Sequence, residues 1–548
     1  MCGIWAFLRS IGIDSTSEYV KYLEARGPEG TSIIDLPGIQ LGFTRLAING
    51  LNPEGMQPFK NELGSLYWMC NGEIYNWKEL ASKHGLLSKS GSDCEILGEL
   101  FQKFKANPST FFQELDGVFA LVIVDYETNT AYVGRDPYGV RPLFVGTSAN
   151  ALAFSSEAKG LINLSDTIQQ FSLGFWWSLD LTTTKITWVQ KWHNTAWIKN
   201  PSYSVSHPIG KDNAMAALRY SLNQAVEKRL LTERPIAALL SGGIDSSLIA
   251  ALVQQKLKVL GKPALETFSI GFEGSPDLYY AKKVADWIGS SHNEIIVTPD
   301  DFIKAIPHVI HAIESYDITS VRASVGNWLV AKKIREQSSA KVVFNGDGAD
   351  EVFGSYKYFK NAPGDTEFEA ESRNLLDEIH FYDGLRSDRC ISSHGLEPRT
   401  PFLDKQFVAV ALSIDTAFRR IGKEFTIEKG LIRSAFTVDT QEWVDGNIGI
   451  LPNEVLWRAK EAFSDGVSKA EKSWHMIIKE YCEDIVPLNW KYMAEQLYGT
   501  HLTPETEEAF YYRQIFHSNF GSQAEMIPHF WMPKWCGNVN DPSARVLV

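Results

Sequence analysis

Ile236-Ala237-Ala238-Leu239-Leu240-Ser241-Gly242-Gly243-Ile244-Asp245-Ser246-Ser247 runs from a short apolar segment through two glycines into a helical pattern that continues to Leu257. The apolar segment, Ile236 to Leu240, reads as a buried strand and the pattern after the glycines as a helix, so the stretch opens a βα unit. The glycines let the backbone approach a ligand, and the free N–H groups at the helix start face it, an arrangement that suits phosphate. Taken alone, a Ser-Gly-Gly turn before a helix is as readily a capped loop as a ligand site. The Gly-Lys-Ser/Thr of a Walker loop is absent, which disfavours γ-phosphoryl transfer and suits release of pyrophosphate.

Downstream, Glu266 to Phe272 and Lys341 to Phe344 read as strands, separated by helical stretches such as Tyr279 to Ile288 and Val325 to Gln337. Alternating strand and helix predicts a parallel, doubly wound sheet. Directly after the second strand comes Asn345-Gly346-Asp347-Gly348-Ala349-Asp350-Glu351. Three carboxylates so close together need a cation or partial solvation to coexist, so this loop is either a metal and ATP contact or a solvated turn. From about residue 365 onward the chain reads mainly as helices and loops.

Upstream, Ala214 to Leu230 has helical periodicity, and the polar, turn-rich residues from about 195 to 212 suit a linker between domains. Before them, Leu41 to Ile48, Leu66 to Cys70, Ala120 to Asp125, Ala131 to Gly134, Leu143 to Gly146 and Ala151 to Ser155 alternate with turns. That predicts a layered α+β domain, with Glu95 to Lys105 its clearest helix.

A chain of 548 residues is too long for one core, so two domains are expected. A formal charge of −13 disfavours nucleic acid and anionic membranes as partners. No apolar run approaches the roughly 20 residues needed to span a bilayer. The start lacks a basic leader, so a cytoplasmic enzyme is the expectation. Six scattered cysteines form no CxxC pair, and five read as packing residues.

The sixth is Cys2. Removal of Met1 would give it a free α-amine, which titrates at about 7.7 to 8.0 and can act as base for its own thiol. Read by itself, Cys2 begins a buried edge strand. Asn71-Gly72-Glu73-Ile74-Tyr75-Asn76, however, supplies an amide, a backbone N–H and a carboxylate at what reads as one turn, where an oxyanion can be held. An isolated Asn-Gly pair is usually a hairpin turn.

Cys2-Gly3-Ile4, Arg26-Gly27-Pro28, Arg45-Leu46, Asn71 to Asn76, Ser92-Asp93-Cys94-Glu95 and Asp116 to Ala120 stand in the order found in class II glutamine amidotransferases, which are N-terminal nucleophile hydrolases. Ser241 to Ser247 resembles the PP-loop of ATP pyrophosphatases, with Asp245 holding Mg2+ beside pyrophosphate. The segments Ser269 to Phe272, Tyr316 to Ser324, Leu396 to Asp404, Arg458 to Val467 and the tail from Tyr511 resemble asparagine synthetases, so the resemblance covers nearly the whole chain.

It implies an α+β N-terminal nucleophile hydrolase domain of layered antiparallel sheets over residues 2–195, a linker over 196–212, and an α/β parallel-sheet ATP-pyrophosphatase domain with a helical C-terminal part over 213–548. It also implies Cys2 as nucleophile, Asn71 and Gly72 as oxyanion hole, and Arg45, Asn71, Gly72, Glu73 and Asp93 as glutamine contacts. ATP falls to Leu240, Ser241, Gly242, Gly243, Asp245, Ser246, Ile270, Asn345, Gly346 and Asp347, Mg2+ to Asp245 and Asp350, aspartate to Ser320 and Arg322, and charge stabilisation to Lys460. The implied partners are the small molecules glutamine, aspartate and ATP. A homodimer and an internal passage for ammonia between the domains accord with the same resemblance.

Several residues depart from the family pattern. Ala25 and Glu29 replace the ends of His-Arg-Gly-Pro-Asp, Ser320 a threonine, Pro398 an alanine, and Asp347 a glutamate one methylene longer. Leu396 to Asp404 reads as mainly structural. Two other readings stand beside the synthetase: a β-lactam synthetase-like enzyme that closes an amide within its substrate, and a catalytically weak regulator that binds glutamine or nucleotide.

Overall fold

The computed structural model describes residues 1–9, 17–149, 151–193, 210–422, 424–437, 449–460, 466–468, 473–537 and 541–542. Most of the expected linker, and Glu461 to Asp465 of the segment that begins at Arg458, lie outside them.

Among the described residues, seventeen strands make three sheets. β1 (Gly3–Arg9), β2 (Thr31–Leu36), β3 (Ile39–Thr44), β8 (Phe144–Ser148), β9 (Ala151–Ser155) and β10 (Thr167–Gln170) pair in the order β10-β8-β9-β1-β3-β2. β4 (Phe59–Lys60), β5 (Leu66–Ile74), β6 (Gly117–Asp125), β7 (Thr130–Arg135), β11 (Phe175–Asp180) and β12 (Ile186–Lys191) pair as β12-β11-β7-β6-β5-β4. Every pairing in these two sheets is antiparallel. β13 (Ile236–Leu239), β14 (Glu266–Phe272), β15 (Ser291–Val297), β16 (Val342–Phe344) and β17 (Glu397–Arg399) form a parallel sheet ordered β15-β14-β13-β16-β17. The architecture is the expected one, antiparallel layers followed by a parallel sheet with helices.

Period-two alternation explains the layering. In β1, Ile4, Ala6 and Leu8 point into the core between the antiparallel sheets, against Met69 of β5 and Val122 of β6. Trp5 and Phe7 point the other way, into a core that also holds Phe144, Val309 and Phe516. The outer face of the first sheet is therefore covered by the C-terminal half. Helices Leu97–Phe104 and Pro108–Glu114 cover the second sheet through Leu100, Phe101 and Phe112.

Two local expectations fail, and a third segment, read as mainly structural, proves to contain a strand. Asn71-Gly72-Glu73-Ile74 is not a turn: pairing with β6 carries β5 through Ile74, so tertiary contact overrides the Asn-Gly signal. β1 lies inside its sheet and not at an edge. Leu396 to Asp404 contains β17, which closes one side of the parallel sheet. Among the described residues, no helix is long and apolar enough to cross a membrane.

Candidate active sites

Cys2 stands immediately before β1, and its Sγ lies 3.5 Å from both the N–H and the carbonyl oxygen of Leu46, just beyond β3. Arg26 Nε donates to the Cys2 carbonyl at 3.1 Å. With Met1 in place, burial pushes the thiol up to about 11, although the chain-terminal amine and the Leu46 N–H favour the thiolate. The Met1 amine donates to Leu396 O at 3.4 Å, and burial pushes it down to about 5.

The remaining predicted glutamine contacts come from β5 and the loops beside it. Asn71 is buried, its Nδ2 is 3.4 Å from Ser156 Oγ, and its Oδ1 has no hydrogen-bond partner among the described residues. Arg45 donates to two carbonyls, Asn52 O at 2.8 Å and Gly50 O at 2.5 Å. Asp93 accepts from Ile74 N at 2.7 Å, and burial pushes its carboxyl up to about 6. Glu73 accepts from Asn49 Nδ2 at 2.8 Å and pairs with Arg399 Nη2 at 3.3 Å. Burial and the neighbouring carboxylates Glu397 and Asp93 raise Glu73 well above the usual carboxylate range, against the pull of Arg399.

Arg399 belongs to β17, in the half of the chain that the sequence assigns to ATP. Its side chain also pairs with Glu397 at 2.8 Å, and its carbonyl accepts from Asn345 N at 3.1 Å. One residue thus touches Glu73 through its guanidinium and the acidic loop through its backbone. The reading of its segment as mainly structural misses this reach.

The second site is a cavity of about 290 Å³ at the carboxyl ends of β13, β14 and β16. Its walls include Leu240, Ser241, Gly243, Asp245, Ser246, Ile270, Asn345, Gly346 and Asp347, with Arg322 and Lys460. Gly242 stands behind the wall with φ +70°, where a Cβ would meet the Tyr280 Cβ at 2.4 Å. At Gly346 a Cβ would meet Ser246 N at 2.7 Å, so the glycine lets the acidic loop touch the phosphate-type loop. Ser241 Oγ and Ser246 Oγ lie 3.0 Å apart across the turn, and Ser241 N donates to Ser246 Oγ at 3.1 Å.

Lys429 joins the two loops. Its Nζ is 2.5 Å from Asp245 and 2.6 Å from Asp350, its side chain is 1% exposed, and it holds φ +57°, an uncommon conformation for a residue with a side chain. Lys460 Nζ also pairs with Asp350, and sits over the Tyr356 ring at 4.4 Å. Burial opposes ionisation of Asp350, but Lys429 and Lys460 outweigh it and hold this carboxyl below its usual range. Asp245 is raised by burial, with Lys429 pulling the other way.

Deeper in, Arg386 pairs with Asp383 at 3.1 Å and Asp347 at 3.3 Å, and Tyr356 bridges Glu351, at 2.5 Å, and Asp383. Asp347 is raised by burial, opposed by Arg386. Arg458 reaches Asp277 at 3.1 Å.

The two predicted acceptor contacts are placed differently from each other. Ser320 turns its hydroxyl to Asp317, the N-cap of helix Ile318–Gln337, at 2.8 Å and does not line the cavity, whereas its neighbour Thr319 does. Thr319 Oγ1 is buried with no hydrogen-bond partner among the described residues. Arg322 lines the cavity already paired with Glu508 and Asp541.

Lys429, Thr319, Arg386, Asp383, Tyr356 and Arg399 are absent from the sequence-derived site. Thr319 and Arg399 lie inside quoted segments and were within reach of that reading. Lys429, in Ile427-Glu428-Lys429-Gly430, carries no local signal.

As a seat for a divalent cation, Asp245 and Asp350 offer hard oxygen donors on facing loops, but no cluster of three or more His, Cys, Asp or Glu side chains that could hold a metal occurs among the described residues. Two carboxylates suit Mg2+ that completes its shell with phosphate oxygens and water.

Comparison with known proteins places both halves. Residues 1–185 match the family model described as glutamine amidotransferase domain, and residues 217–371 and 360–536 match that described as asparagine synthase. Asparagine synthetase (glutamine-hydrolyzing) of Rattus norvegicus is 39% identical over 574 aligned residues, covering 100% of this chain and 99% of the relative. The protein of the same name from Homo sapiens is 40% identical with the same coverage, and that of Gallus gallus is 38% identical over 570, covering 100% and 98%.

Proposed function

From the membership of this chain in the family of glutamine-hydrolysing asparagine synthetases, to which it belongs along its whole length, we infer its reaction: it makes asparagine from aspartate, with ATP as the energy source and glutamine as the nitrogen donor. The observation that carries this reading is the end-to-end match, which takes in the Cys2 half and the ATP half together. The domains divide at residues 2–195, 196–212 and 213–548.

After loss of Met1, the Cys2 amine takes the thiol proton and the sulfur attacks the glutamine amide carbon. Asn71, through its Nδ2 donor, and the Gly72 N–H receive the developing oxyanion. The amine returns the proton to the leaving ammonia, and water then cleaves the thioester to give glutamate. Arg45 takes the α-carboxylate of glutamine, for which its carbonyl-only contacts leave the charge available, and Glu73 with Asp93 takes the α-ammonium.

In the cavity, the side-chain carboxylate of aspartate attacks the α-phosphorus of ATP, forming β-aspartyl-AMP and pyrophosphate; ammonia then displaces AMP. The backbone of Ser241 to Ser246 and the ammonium groups of Lys429 and Lys460 offset the phosphate charge. Asp245 and Asp350 would hold Mg2+, which would supply further charge neutralisation for the pyrophosphate. Arg322 and Thr319 hold the acceptor, Thr319 taking the part first given to Ser320. Asp347, shorter than the family glutamate and drawn to Arg386, stands closest in sequence terms to the family's acidic group. A homodimer in the cytoplasm is the expected assembly and location.

The test is to incubate the protein with Mg-ATP, aspartate and glutamine and to measure asparagine, AMP, pyrophosphate and glutamate together. Equal yields are expected. Absence of asparagine with both glutamine and ammonium as nitrogen source would sink the reading.

A further inference from the structure

Arg322 enters the cavity from the first turns of the helix Ile318–Gln337, and both edges of its guanidinium are taken by the chain's own carboxylates. Along one edge, Nε and Nη2 donate to Glu508 at 2.8 and 2.5 Å. Along the other, Nη1 and Nη2 donate to Asp541, each at 3.0 Å. Two-point pairing of this kind is the most geometrically selective way for an arginine to hold a carboxylate.

The two partners are anchored differently. Glu508 sits in the first turn of the helix Glu507–Phe520 with its side chain 5% exposed. Asp541 belongs to no helix or strand, its side chain is 20% exposed, and the next residue, Pro542, lines the cavity. Its side chain also meets His475 Nε2 at 3.1 Å. By exposure and by its place outside any helix or strand, Asp541 is the more exchangeable counterion of the two.

Charge counting leads to the same division. One guanidinium with two carboxylates already carries a net negative charge, and a third carboxylate at the same fork meets like-charge repulsion with no free donor edge to offset it. A substrate acid can join Arg322 only in place of one of the two.

We propose that Asp541 occupies the acceptor's carboxylate subsite, so that free aspartate binds by displacing this side chain from Arg322. The proposal rests on the assignment of aspartate to this cavity. The displaced group is chemically the same as the incoming one, a carboxylate of an aspartyl unit, so exchange preserves the charge and both hydrogen bonds of the fork. Its consequence is an apparent affinity for aspartate reduced by the fraction of molecules in which Asp541 is docked.

The experiment uses the full chain with ammonium as nitrogen source and compares KM for aspartate and for ATP in the wild type, Asp541→Asn and Asp541→Glu, with thermal melting to confirm that each variant is folded. The expected result is a fall in the aspartate KM of about fivefold to tenfold in Asp541→Asn, no matching fall for ATP, and return toward the wild-type value in Asp541→Glu. An aspartate KM that is unchanged or higher would overturn the proposal, since Asp541 would then be idle or would orient Arg322 for the substrate. Equal falls for both substrates would also overturn it, by showing a general loosening of the cavity. Failure of the wild type to form asparagine is a different outcome, which removes the acceptor assignment itself.

Discussion

The two sites handle charge in opposite ways. Around Cys2 the reactive atom is a neutral thiol beside the backbone of Leu46, and Arg45 is held by carbonyl oxygens alone. In the cavity of the C-terminal half, carboxylates and cations alternate: Asp245, Lys429, Asp350 and Lys460 follow one another, as do Asp383, Arg386 and Asp347. The first site has to create one nucleophile. The second has to remain balanced while a polyanion arrives and leaves.

If that contrast holds, changes at the first site silence one nitrogen source and changes at the second silence both. The largest effect is expected at Cys2: Cys2→Ala, or an N-terminal extension that keeps the α-amine blocked, lowers glutamine-dependent synthesis by about 10⁴-fold or more, with ammonium-dependent synthesis retained. Loss of both activities would break the comparison. Next comes Lys429→Met, which leaves Asp245 and Asp350 facing each other; synthesis falls by about 10²- to 10³-fold from either nitrogen source, while glutamine hydrolysis without ATP persists. A drop confined to glutamine would place Lys429 outside the phosphate chemistry.

Asn71→Ala should slow glutamine hydrolysis by about 10²-fold, with ammonium-dependent synthesis serving as the control. The smallest effect is a pH dependence. Asp93 is pushed up to about 6 by burial, so its carboxylate is lost as pH falls through that value and is present above it. Its attraction for an α-ammonium follows the carboxylate, so the glutamine KM rises below pH 6, by about threefold to tenfold at pH 5. A glutamine KM that is flat from pH 7 to 5 would remove Asp93 from the contact.

Legibility in the sequence follows the range of the forces involved. Ala151–Ser155 and Glu266–Phe272 are read to the residue, because turn signals bound their alternating or apolar patterns. β15 escapes because Ser291-His292-Asn293-Glu294 is polar and gains its pairing only from β14. β17 escapes because Pro398 argues against a strand, yet at the sheet's edge its missing N–H costs nothing. The loops Ser241 to Ser246 and Asn345 to Asp350 are visible because glycines and acids cluster within a few residues. Lys429 is invisible for the opposite reason: its partners are 184 and 79 residues away in the chain, and one lysine beside one glutamate looks like any surface pair.

Several of the contacts between the halves are ion pairs. Arg26 meets Asp388 at 2.7 Å and Arg399 meets Glu73 at 3.3 Å, both buried, and Lys228 meets Asp116 at 2.7 Å in a half-buried pair. Separating such partners strands a charge in a low-dielectric surface and costs about 3–5 kcal/mol for a fully buried pair. A fragment cut at the polar stretch before Lys211 would therefore expose apolar faces dotted with uncompensated acids and bases, poor for solubility and poor as a stand-alone catalyst. Two such fragments made in the same cell would carry matching charge patterns and re-form the pair, which makes this boundary a natural place for a split enzyme whose activity reports the meeting of its parts.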